Sequence, residues 1–126
     1  MKLFAFGDSF TNGFNDENAI HVKQNISWKG YKPKGYIDFL SEHFSCETHN
    51  FAVQGNDNYS ILESFCKNLD KIENDDLVII NWSNVDRFRI VNLFDSWVRI
   101  LPNHLDILNQ TDISVKTINQ MMVNRM

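Results

Sequence analysis

Residues 1–15, MKLFAFGDSFTNGFN, place a carboxylate and a hydroxyl, Asp8 and Ser9, directly behind an apolar run, with Thr11 and Gly13 close after them. A hydroxyl presented on a tight turn can attack a carbonyl when backbone N–H groups and a carboxamide lie opposite to hold the developing oxyanion. Two later segments carry such partners. Gly55, at the end of NFAVQG, permits close approach of its backbone, and Asn84, within LVIINWSNVD, supplies an amide donor. Ser9, Gly55 and Asn84 each follow a candidate strand, which is where functional groups gather in open α/β sheets.

The elements that must position them are read from periodicity. Residues 2–6 form a continuous apolar strand of the kind buried on both faces of a parallel sheet. Residues 14–34 are polar, contain Gly30 and Pro33, and read as a long irregular excursion. Residues 35–44 read as a short amphipathic helix and residues 48–53 as a second strand. Leu62, Phe65, Cys66 and Leu69 recur at helical spacing behind Asn58, the expected N-cap, in a helix ending near Lys71.

After the acidic turn ENDD come the strand 77–80 and then residues 86–101. There Ile90, Leu93, Phe94, Trp97, Val98 and Leu101 predict a helix halted by Pro102. Residues 109–126 show a weaker helical period. Strands alternating with helices imply an α/β fold with a parallel sheet and right-handed crossovers. The expected form is a flavodoxin-like three-layer α/β/α sandwich with strand order 2-1-3 and an incomplete sheet, in which the three polar strand ends face one crevice.

The 126 residues predict a single domain, 1–126. The apolar fraction of 43% and charged fraction of 22% are those of a soluble globular chain, and a net charge of -4 argues against a general basic surface for nucleic acid. No apolar run approaches the roughly 18 residues of a membrane span, and the first strand leaves no room for a signal peptide. The expectation is a cytoplasmic protein that binds neither nucleic acid nor membrane. Cys46 and Cys66 read as free core thiols, and no cofactor or metal is expected.

GDSFTNG, residues 7–13, resembles the G-D-S-x-T-x-G signature of the SGNH, or GDSL, hydrolases. NFAVQG is similar to that family's second block, and LVIINWSNVD to its third, in the same order and over residues 2 to 88. The resemblance implies a serine esterase or acetylesterase acting on a small-molecule, carbohydrate or lipid ester. Ser9 would be the nucleophile, with an oxyanion hole made of the Ser9 N–H, the Gly55 N–H and the Asn84 side chain. Trp82 and Val85 stand where the family's third block has glycine and aspartate, so Asn81 and Ser83 are alternative site-facing residues. The family's late D-x-x-H motif, whose histidine deprotonates the serine, matches none of His21, His43, His49 or His104. A serine without a base is a poor nucleophile. The chain therefore reads as the amino-terminal portion of such a hydrolase, with the base supplied from elsewhere. The rival is a catalytically incomplete binding or assembly module, prone to self-association through a bare sheet edge.

Each residue also has a plainer reading. Ser9 can close the strand and cap a helix, Asp8 can brace the turn, Gly55 can serve a positive φ, and Asn84 can cap the helix expected after it. His21 and His104 are the substitutes for the missing base. In WKGYKPKGY, residues 28–36, the aromatic rings either stack on sugars or bases or pack on the core while the lysines stay in water. Arg87 and Arg89 either meet an anionic substrate or pair with a carboxylate such as Asp86 or Glu63. A third reading, a small-ligand binder holding phosphate near residues 56–58, lacks a Gly-rich phosphate loop.

Overall fold

The computed structural model describes residues 1–85, 87–91 and 97–100, the last two ranges as backbone strands apart from the fully described Arg87. His104 and the helix expected over 109–126 lie outside the described residues.

The sheet expected from the alternation of strands and helices is present. Strand β1 (Lys2–Phe6) is central, flanked by β2 (Glu47–Asn50) and β3 (Leu77–Ile80), all parallel, in the order β2-β1-β3. Its register pairs Ala5 with Asn50 on one side and Phe6 with Ile80 on the other, so the three strands end level with one another. Consecutive residues of β1 point to opposite faces. Leu3 and Ala5 meet Ile37 of α3 (Tyr36–Phe44), with Leu40, Cys46, Leu77 and Ile79 around them. Phe4 and Phe6 meet Ile61 of α4 (Asn58–Lys67), with Phe51, Phe65, Val78 and Ile80 around them. A strand covered on both faces reads as unbroken apolar sequence, which is why LFAF shows no alternation.

Shorter helices complete the described chain. Helix α1 (Ser9–Asn12) follows β1 at once, and α2 (Ile20–Lys29) occupies the stretch expected to be irregular. Only Val22 of α2 is buried, so the helix carries almost no apolar stripe and its sequence looks like loop. Helix α3 opens with the Gly35 N–H donating to Asp38 Oδ2 at 2.7 Å, and α4 is capped by Asp57, whose Oδ1 accepts from Ser60 N at 2.9 Å. The cap is thus Asp57, one residue before the expected Asn58, and a 3-10 turn at Leu69–Lys71 follows α4.

The helix expected over 86–101 is replaced by an antiparallel pair, β4 (Phe88–Val91) and β5 (Trp97–Ile100), forming a separate two-stranded sheet. FRIV and WVRI consist largely of aromatic and β-branched residues, which lose rotamer freedom in a helix and suit a pleated ladder. The register pairs Phe88 with Ile100 and Ile90 with Val98, so apolar spacing that fits a 3.6-residue period also fits a short hairpin.

Candidate functional site

Immediately beyond β1 the chain turns at Gly7 and enters α1. Asp8 is the N-cap, its Oδ1 accepting from Phe10 N at 3.1 Å, and the residue is only 5% exposed. A carboxylate so placed is costly unless a cation compensates it. Arg87 does so, donating from Nη1 to Asp8 Oδ2 at 3.1 Å. The sequence pointed to Asp86 or Glu63 as the partner of Arg87. The structure gives Asp8 instead, because the segment leaving β3 passes the end of β1, a strand adjacent in space and 79 positions away in sequence. Ser9, the first residue of α1, is half-buried, and its hydroxyl has no hydrogen-bond partner among the described residues.

The turn after β1 is fastened to the loop after β2 by main-chain and carboxamide bonds. Gly7 O accepts from Val53 N at 3.2 Å and from Asn56 Nδ2 at 3.1 Å. Asn12 Nδ2 donates to Ala52 O and Asn50 Nδ2 to Thr11 O, both at 2.8 Å. Ala52 N returns a bond to Asn50 Oδ1 at 3.1 Å. These asparagines define the rim, and sequence reasoning passed over them because the chain is rich in asparagine. Their signal was position, since each lies within a few residues of a strand end.

Two glycines of this rim are needed for different reasons. A Cβ on Gly7 would stand 2.4 Å from Thr11 Oγ1 and 3.1 Å from Asn81 O, so the site has no room for one. Gly55 has φ +70 with nothing within 4 Å of where a Cβ would sit, so its requirement is conformational.

The third loop joins both others. Asn81 N donates to Phe6 O at 2.9 Å, and Ser83 N donates to Asn58 Oδ1 at 2.6 Å. Asn84 is exposed, and its carbonyl accepts from Arg87 N at 3.2 Å in a turn. The helix-cap reading of Asn84 falls, since a strand and not a helix follows. Asn58, Tyr59, Val85 and Arg87 line a cleft of about 190 Å³ between the start of α4 and this loop.

Among the histidines, His21 touches this region: its Nε2 lies 3.1 Å from Gln54 Nε2, and its ring lies 6.5 Å from that of Phe14. His43 packs edge-on against Phe44, while His49 stacks on Phe4 and approaches Glu47 at 3.3 Å, so both have structural surroundings. Trp28 and Tyr31 are 81% and 62% exposed, so the rings of residues 28–31 do not pack on the core as the plainer reading required. Lys29 lies over both rings, whereas Lys32 and Lys34 pair with Glu17 and Glu42. Cys46 and Cys66 are free thiols as expected, but Cys66 is exposed and not a core residue. Among the described residues no group of three His, Cys, Asp or Glu side chains could hold a metal ion, and no helix is long and apolar enough to cross a membrane.

Ser9, Gly55 and Asn84 therefore lie on three neighbouring loops at the carboxyl ends of adjacent parallel strands, with each loop hydrogen-bonded to the other two. The bonds between these loops fix the turn that carries Ser9 relative to the loops that carry Gly55 and Asn84. Compared with protein-family models, with curated proteins and with solved structures, the chain finds no match in any of the three.

Proposed function

We propose that this chain is a serine ester hydrolase of the SGNH type. In this reading the Ser9 hydroxyl attacks the ester carbonyl, its proton passing to a base outside the described residues. The oxyanion of the tetrahedral intermediate is held by the Ser9 N–H, the Gly55 N–H and the Asn84 carboxamide. Collapse expels the alcohol, and water then releases the acid from the acyl-serine. The substrate class is an ester on a small molecule, carbohydrate or lipid.

The observation that carries this reading is the double use of the Gly7 carbonyl, which accepts from both Val53 N and Asn56 Nδ2. It ties the peptide leading into Ser9 to the loop that contains Gly55, residues 46 positions apart that the mechanism requires to act together. The test is labelling by a fluorophosphonate probe, comparing wild type with Ser9→Ala. An activated serine gives a labelled wild type and an unlabelled variant.

A second reading is favoured by the Ser9 hydroxyl, which has no hydrogen-bonded base among the described residues. A binding or assembly module that retains the scaffold without acid–base chemistry would fold and yet take no label.

A further inference from the structure

The cleft beside the rim has a charge character that the hydrolase reading does not use. Among the described residues that line it, Arg87 alone is charged, and its side chain is about four-fifths buried, at 20% exposure. A guanidinium has five N–H donors in a rigid fork. Among the described residues the Arg87 side chain has one partner, the monodentate contact from Nη1 to Asp8 Oδ2. The remaining donors belong to a side chain that forms part of the cleft wall.

The neighbours locate the cleft relative to the proposed chemistry. Asp8 precedes Ser9, and Val85 follows Asn84, so two of the residues assigned to the reaction adjoin residues that line the cleft or bond to its cation. At about 190 Å³ the space is below the roughly 300–1,000 Å³ of a site for a whole drug-sized ligand, so it suits one group of a larger molecule. Another cleft, of about 330 Å³ between α3 and β2, offers no comparable donor among its described residues, because Lys32 and Lys34 are already paired with Glu17 and Glu42.

We propose that the cleft lined by Asn58, Tyr59, Val85 and Arg87 is a subsite for an anionic oxygen group, a carboxylate or a phosphate, carried by the substrate. The inference rests on Ser9 being the nucleophile only in calling the ligand a substrate. The Arg87 fork holds two oxygens of the group while Asp8 retains Nη1, a cation shared between a protein carboxylate and a ligand oxyanion.

The test follows backbone amide shifts of Asn58, Tyr59, Val85 and Arg87 by NMR during titration of the whole chain. The probes are monomethyl succinate, its neutral counterpart dimethyl succinate, and inorganic phosphate. The expected result is saturable shifts with monomethyl succinate or phosphate, the tighter of the two naming the group, and at least about tenfold weaker binding of dimethyl succinate. Val85→Glu, at an exposed position of the cleft wall, leaves the folded spectrum intact and weakens the anion by a similar factor. Arg87→Lys keeps a cation beside Asp8 but removes the fork, and it weakens binding as well. Equal binding of the charged and neutral esters, or anion binding unchanged in Val85→Glu, overturns the proposal. Anion binding by a folded chain that takes no fluorophosphonate supports the subsite and removes the hydrolase reading. Labelling of Ser9 without any anion shifts removes the subsite alone.

Discussion

The two ends of the parallel sheet are finished in different ways. At the amino end one side chain does the closing. Asp76 accepts from Lys2 N at 2.6 Å and from Glu73 N at 3.0 Å, joining the start of β1 to the turn before β3. At the carboxyl end Asp8, Thr11, Asn12, Asn56 and Asp57 are all buried; Asn12 and Asn56 donate to the backbone of a neighbouring loop, Asp8 meets Arg87 and Thr11 meets Tyr36. Buried polar groups are costly unless paired, and an apolar rim would have been a cheaper way to close a sheet. The acceptor oxygens Asn12 Oδ1 and Asn56 Oδ1 are even left without a partner among the described residues. The amino end is simply closed, whereas the carboxyl end also fastens the turn that leads into Ser9 to the loop after β2.

Substitutions separate the two ends by size of effect. Gly7→Ala is the most damaging, because its Cβ meets Thr11 and the Asn81 carbonyl. A loss of about 3 kcal/mol in urea unfolding is expected, as for overpacking of a tight site. Asn56→Ala removes the second bond to Gly7 O and costs about 2 kcal/mol. A cost within error of zero would mean that the carboxyl rim is no more demanding than the amino end. Gly55→Ala meets no clash and costs about 1 kcal/mol through its positive φ, so the ratio of the two glycine effects measures space against conformation.

Asp76→Asn is expected to have the smallest effect at neutral pH, and it sharpens the contrast through its pH dependence. The backbone N–H of Glu73, followed by that of Lys2, holds the Asp76 carboxyl below the usual carboxylate range. A group with a lowered folded pKa stabilises the fold above its unfolded pKa and loses that contribution as pH falls through the folded value. The stability gap between wild type and Asp76→Asn should therefore narrow on acidification below about pH 4. A gap that widened there would contradict the assignment.

Parallel β1 and β3 were legible because unbroken apolar runs followed by polar turns have few other interpretations, and LFAF and LVII are of that kind; β2, ETHN, has no apolar residue, and the strand expected over 48–53 lies at Glu47–Asn50. Residues 88–100 were not, since their apolar spacing satisfies two periods and only pairing between FRIV and WVRI decides between them. Helix α2 was hidden for the opposite reason: with Val22 alone buried it has no periodic signal. Within the site, Ser9 and Gly55 could be marked from strand ends and Asp8 read as a brace. The bond from Arg87 to Asp8 could not be seen, because it links two residues that only the strand order brings together. Asn56 entered the sequence reading only beside a candidate phosphate site, and its bond to Gly7 O could not be seen because it too depends on the strand order.

The proposed hydrolysis requires the Ser9 hydroxyl, the Gly55 amide and the Asn84 carboxamide to act on one carbonyl. The most direct measurement is a crystal structure of the chain after reaction with a small alkyl fluorophosphonate. A phosphonyl group on Ser9 Oγ is expected, with one phosphoryl oxygen about 2.7–3.1 Å from both the Gly55 N–H and the Asn84 side-chain amide. An adduct whose oxygens all face solvent away from Gly55 and Asn84, or a folded chain on which no adduct forms, would contradict it.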